Sequence, residues 1–100
     1  MQTLTANQKK FLKGLAHKME PKVHVGKNGL TASISKEVER QVVDLELIKI
    51  RVENEDREER KAIVDSIVKD SGAALVQAIG KVAVIFRRNE EEPVVKLPRK

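Results

Sequence analysis

The sequence predicts a single α/β domain over residues 1–100, ordered helix–strand–helix–strand–helix–strand–strand around a mixed four-stranded sheet. Three observations carry this expectation. The chain has 100 residues, enough for one modest core and too few for two. Apolar residues recur at helical spacing in three segments and alternate with period two between them. Two successive strand–helix–strand units ending in a hairpin imply mixed strand directions, with the second and third helices crossing over on one face.

Each element has a local cause. Thr5 and Gln8 have the spacing of a capping box, so a helix starts there. At 100° per residue Phe11, Leu12, Leu15 and Met19 share one arc, while Lys9, Lys10, Lys13 and His17 fill the opposite side. Pro21 is expected to end this helix, because the residue before a proline is pushed out of helical geometry. "KVHV" then alternates, with Val23 and Val25 on one face and Lys22 and His24 on the other. Thr31 is a candidate N-cap for a second helix whose Ile34, Val38, Val42 and Leu45 form its stripe.

"LIKIRVE" is the clearest strand: Ile48, Ile50 and Val52 point one way, Lys49 and Arg51 the other. Asp56 and Glu59 repeat the capping-box spacing and open a third helix, with Ile63, Val64, Ile67 and Val68 buried and Gly72 placed as its C-terminal glycine. "AALVQAIGKVAVIFRR" reads as two strands joined at Gly80-Lys81 by a type II′ turn. Strict alternation would put Val76, Ala78, Ala83 and Ile85 on one face of this pair, and Leu75, Ile79, Val82, Val84 and Phe86 on the other. Both faces are apolar and need cover. The first helix, with the tail as a second candidate, is left for the face opposite the crossovers. The C-terminus is a charged linker followed by a short extended piece, and residues 93–100 form a short basic tail.

Charge is distributed unevenly. The formal net charge is +5, yet residues 1–36 hold seven Lys/Arg against the single acid Glu20, and the rest of the chain is close to neutral. Such polarisation points to a polyanionic partner; a lysine-rich solvated face is the plainer reading. There is no cysteine, which excludes a disulfide framework and a thiolate nucleophile and suits the cytoplasm. No run approaches the roughly 20 apolar residues that span a bilayer, and the N-terminus lacks the apolar stretch of a signal peptide. No membrane role is expected.

Catalysis has little to work with. His17 and His24 are the only histidines, without a third ligand at metal-binding spacing. The carboxylates of residues 53–59 are explained by helix capping. Gly80-Lys81 lacks both the glycine of a Walker loop, since position 75 is Leu75, and the following Ser/Thr. The expectation is therefore no enzyme, no catalytic residue, no metal, no cofactor and no small-molecule substrate.

"VHVGKNGLT" offers a binding site instead. Gly26 and Gly29 let the backbone run close to another polymer, loop N–H groups ahead of a helix form an anion cradle, and Lys27 adds charge. The alternative is a turn whose glycines supply positive φ, with Asn28 tolerant of the same region. Lys22, His24, Lys49 and Arg51 would extend a positive surface toward the loop if neighbouring strands project them together; ordinary solvent exposure is again the alternative.

"LTANQKKFLKGLAH", "EPKVHVGKNGLT", "ELIKIRV" and "VQAIGKVAVIFRR", in this order and spacing, resemble the CRM domain family. It comprises small bacterial YhbY-like proteins and the repeated RNA-binding domains of plant organelle intron-splicing factors. The resemblance implies an RNA-binding domain similar in fold to the C-terminal domain of translation initiation factor three. It also implies association with ribosomal RNA in large-subunit (pre-50S) precursors. It places the RNA-gripping loop at Gly26, Lys27, Asn28 and Gly29 and the adjoining basic helix at Lys9, Lys10, Lys13 and His17. Phe86 departs from the tyrosine frequent in relatives. The loop joins a strand to a helix, whereas the similar KH loop joins two helices.

With two phenylalanines and no Tyr or Trp, an aromatic stacking platform is out of reach, so phosphate contacts should dominate. The expected function is a monomeric RNA-binding protein of ribosome assembly, with Lys22, Lys49 and Arg51 added to the site. The rival is a protein–protein adaptor docking through "ENEDREER" or the two-faced hairpin.

Overall fold

The computed structural model describes residues 3–100. It contains α1 (Ala6–Ala16), β1 (Val23–Val25), α2 (Ala32–Leu45), β2 (Leu47–Val52), α3 (Arg57–Ser71), β3 (Ala74–Ile79) and β4 (Val82–Phe86), the expected α/β order. The strand order is β1-β2-β4-β3. β1 runs parallel to β2, whereas β4 is antiparallel to both β2 and β3.

Capping sets most of the boundaries. The Thr5 hydroxyl accepts from the Gln8 N–H at 3.1 Å and the Thr5 N–H donates to the Gln8 side chain at 3.0 Å. Thr31 accepts from the Ile34 N–H at 3.2 Å. At α3 only half of the expected box forms: Asp56 accepts from the N–H groups of Glu58 and Glu59, but Asn54, not Glu59, takes the Asp56 N–H, and Asn54 also holds the Glu59 carboxylate. Gly72 ends α3 in the left-handed region at φ 70°. Gly80 has φ 57° and Lys81 does not have positive φ, the sign pattern of the expected type II′ turn.

The sheet separates two cores. On one face α2 and α3 cover Val23, Val25, Ile48, Ile50, Val52, Ala83 and Ile85 with Val38, Val42, Val64 and Ile67. On the other, Leu12 and Ala16 of α1 pack with Leu47, Val76, Val84 and Phe86, and Val95 and Leu97 of the tail close the edge. Asn7 and Gln8 bind the tail further through the carbonyls of Lys100 and Pro98. Among the described residues no helix is long and apolar enough to cross a membrane.

Three further expectations need correction. Strict alternation fails in β3, because a bulge between Leu75 and Gln77 adds one residue opposite β4. Leu75 therefore joins Ala83 and Ile85 under the crossover helices, and Val76 joins Val84 and Phe86 under α1. α1 stops at Ala16, well before Pro21, tightened by a Met19 N–H bond to the Ala16 carbonyl. Met19 still reaches the core from beyond the helix, but Leu15 remains 42% exposed while Ala16 fills the buried place.

One tight reversal falls on a residue that the sequence does not advertise. α2 ends at Leu45 and β2 begins at Leu47, so the reversal occurs at Glu46, which has φ 65° and ψ −48°. A non-glycine residue held there carries strain of about 1–3 kcal/mol. Its carboxylate is fully buried and accepts the N–H groups of Asn89 at 2.7 Å and of Val94 and Val95 at 2.6 Å. Arg88 lies 3.6 Å away. Burial pushes the carboxyl up, but the three backbone donors and Arg88 outweigh it and hold it below its ordinary value. Charge-assisted hydrogen bonds contribute about 1.5–3 kcal/mol each, enough to offset the strain.

Glu46→Ala should therefore destabilise the protein by about 3 kcal/mol in urea unfolding and expose residues 88–100 to proteolysis. Because the folded carboxyl titrates below its unfolded value, its contribution is complete above the ordinary glutamate value of 4.5 and declines as pH falls through the folded value. Glu46→Gln should remove that part of the acid dependence.

Candidate nucleic-acid interface

The parallel register places His24 beside Arg51 and Val25 beside Val52, and the Lys22 N–H donates to the Lys49 carbonyl at 2.8 Å. With Val23, Val25, Ile50 and Val52 turned into the core under α2 and α3, alternation puts His24, Lys49 and Arg51 on the opposite face. α1 covers that face over β2, β4 and β3 but leaves His24 of β1 exposed. Lys9, Lys10 and Lys13 are exposed on α1, and His17 is exposed at its C-cap. Of these, Lys13 and His17 meet Lys49 around a groove of about 520 Å³ that continues to Gln77 and Ile79. Lys9 and Lys10 lie further along the helix, toward its N-terminus.

The GKNG loop leaves β1 at the end of the sheet reached by β2. Val25 is fully buried before it and Leu30 packs on the core after it, so the loop is held at both ends. The Gly29 N–H closes the turn on the Gly26 carbonyl at 3.0 Å and is thereby withdrawn from the expected anion cradle. Gly29 has φ 84°, whereas Gly26, Lys27 and Asn28 do not have positive φ. Gly29 thus answers to backbone geometry, and Asn28 does not use the left-handed tolerance expected of it. Gly26 is different: its conformation suits any residue, and an added Cβ would meet nothing within 4 Å.

The electrostatics divide the basic residues into two groups. Arg51 is hydrogen-bonded to Glu53, and Lys81 reaches Glu55 at 2.7 Å and Glu53 at 3.8 Å. Arg51 holds the Glu53 carboxyl below its ordinary range, and Lys81 does the same to Glu55. The acids nearest the GKNG loop are therefore already engaged. Among the described residues, Lys9, Lys10, Lys13, Lys22 and Lys27 make no ion pair within 4.0 Å. Lys49 donates to the Met19 carbonyl at 3.0 Å, a neutral partner that leaves its charge intact. Phe86 is fully buried and Phe11 packs half-buried against the core under α1, so the described residues offer no fully exposed aromatic ring.

Residues 4–87 match the CRS1/YhbY (CRM) domain. The chain belongs to this family. The matched region contains α1 through β4 and every candidate site residue, while the tail held by Glu46 lies beyond it. A Haemophilus influenzae relative named an RNA-binding protein is 46% identical over 100 residues, covering all of both chains. A Pseudomonas aeruginosa relative, named a probable RNA-binding protein, is 41% identical over 86% of this chain and 83% of its own. The solution structure of a Staphylococcus aureus hypothetical protein superposes with a TM-score of 0.82 at 31% identity, covering 96% of this chain and all of the other.

Two groove residues, Gly14 and Gln77, escaped the sequence reading. A glycine inside an otherwise regular amphipathic helix was the available signal, since it costs about 1 kcal/mol relative to alanine.

The two loop glycines should separate in stability measurements. Gly29→Ala, at positive φ, should lose about 1 kcal/mol or more in urea unfolding, and Gly26→Ala should be neutral or gain up to about 1 kcal/mol.

Proposed function

We propose that this CRM-family protein binds structured RNA, specifically ribosomal RNA in precursors of the large subunit, as a cytoplasmic monomer. It acts by binding and carries out no reaction on the RNA. The observation that carries the reading is that, among the described residues, Lys9, Lys10, Lys13 and Lys22 of the N-terminal third make no ion pair, and Lys27 acts on Glu55 only from beyond ion-pair distance, while Arg51 and Lys81 engage Glu53 and Glu55. Lys49 and His17 share a groove with Lys13. Gly26 supports it, being a glycine that neither its own conformation nor its surroundings require. The names of the relatives point the same way, and the large-subunit assignment follows the family resemblance.

Phosphates rather than bases are the main contacts of this face. Lysine is a point charge without base information, and of the two aromatic rings Phe86 is fully buried and Phe11 half-buried against the core. The protein-docking alternative has less support, because "ENEDREER" uses much of its charge internally: Glu53 and Glu55 on Arg51 and Lys81, Asp56 on the α3 cap, and Glu59 on Asn54.

Binding to labelled precursor ribosomal RNA should weaken by roughly 10²–10³-fold between 50 and 200 mM salt, as expected for about five phosphate contacts. A protein adaptor would show no such RNA affinity, and an RNA-processing enzyme would cleave the probe.

Lys9→Glu with Lys13→Glu should leave stability within about 0.5 kcal/mol of wild type while lowering affinity and the salt slope by about two contacts. Lys27→Glu should lower the slope by about one, equally across RNA sequences. Gly26→Ala, still folded, should weaken binding by obstructing the backbone approach. Unchanged affinity in all three would remove the loop and α1 from the interface.

A further inference from the structure

The groove beside the C-terminal half of α1 has a composition that phosphate binding alone does not explain. Its floor is aliphatic, formed by Ala16, Val82, Val84 and Ile79, and its rim carries Lys13, His17 and Lys49. Among the described residues no carboxylate lines it. The cleft on the other side of the sheet differs in this respect, mixing Glu58 and Asp65 with its cations. A ligand that fits the groove has a flat apolar body and an attached anion. At about 520 Å³ the space lies within the roughly 300–1,000 Å³ of small-ligand sites.

We propose that this groove receives a single unpaired nucleotide of the bound RNA, with the base against the aliphatic floor and its flanking phosphates on Lys13 and Lys49. The proposal rests on the RNA-binding reading and adds to it a preference for an extruded base over a continuous duplex. Four further features support it. Gly14 lines the groove from the middle of α1, where an added Cβ would meet nothing within 4 Å; the helix tolerates an unfavourable residue that nothing inside the protein requires, and open space results. Ile79 is 66% exposed, a large apolar side chain with no internal partner over most of its surface. The Gln77 side chain makes no hydrogen bond among the described residues, so both its donor and its acceptor remain available to a base edge. Lys49 has two ammonium protons left after its bond to the Met19 carbonyl.

Aliphatic walls can hold an extruded base where aromatic ones are missing. Duplex RNA hides its base edges in a deep, narrow major groove, so an unpaired nucleotide is the part of a folded RNA that such a site can read. The lysine-rich surface would supply affinity for any RNA helix, and the groove would fix where along it the protein stops.

The test compares two RNA hairpins with the same paired stem, one fully paired and one carrying a single bulged nucleotide, prepared with each of the four bases. Wild-type protein should bind at least one bulged hairpin about tenfold more tightly than the paired one. Gly14→Leu fills the groove from a site with room for the side chain, and should melt at or above the wild-type temperature while the ratio of the two affinities falls to about one. Lys27→Glu should lower both affinities and keep the ratio. If Gly14→Leu does not melt cooperatively, Ile79→Ser makes the same test at an exposed position. Equal wild-type affinity for paired and bulged hairpins, or a ratio retained in the folded variant, overturns the nucleotide site and leaves the RNA reading standing. Failure of the wild type to bind either hairpin overturns the RNA reading itself.

Discussion

A buried carboxylate closes this fold. Glu46 turns the chain from α2 into β2 in one residue, accepts its second hydrogen-bond set from Asn89, Val94 and Val95, and so fixes the path of the segment after β4. That segment carries Val95 and Leu97 onto the core beneath α1, and its last carbonyls receive Asn7 and Gln8. Without the carboxylate, three N–H donors and Arg88 would face a low-dielectric interior with one partner fewer. The position of α1, and with it the basic face, therefore depends indirectly on an acid in the turn between α2 and β2.

The second organising constraint is the division of labour between the sheet's faces. α2 and α3 need an unbroken apolar surface, which β1 and β2 supply through alternate valines and isoleucines. The intervening residues are free to be charged, so cations accumulate where α1 leaves the sheet uncovered. Glu53 and Glu55 then act locally: they pair with Arg51 and Lys81, while the lysines of α1 have no ion-pair partner among the described residues. The net charge of the chain understates this separation.

Much of the architecture was legible because its signals are short-range. Thr5 with Gln8, Thr31, and Gly72 each mark a boundary through a hydrogen bond or a φ value reachable within four residues. The hairpin turn at Gly80-Lys81 is equally local. The failures have long-range causes. The α3 box was misread because Asn54 competes for the same donor, and Leu15 because helical periodicity does not say which part of an apolar arc meets the sheet. The bulge in β3 depends on its register with β4. Glu46 resembles any surface glutamate in the sequence, since its partners lie more than forty residues away. Of the candidate site, the loop and the basic helix were readable as charge and spacing; their relation to Gly14, Gln77 and Ile79 exists only after α1 packs across the strands.

The bulge at Val76 also has a consequence for how the molecule meets its own copies. β3 pairs only with β4 and lies at one edge of the sheet, where an unbroken row of peptide groups would invite another strand to add. An extra residue interrupts that row and increases its local twist. The opposite edge is only three residues long. Both borders are thus poor templates for sheet extension, a built-in defence against self-association.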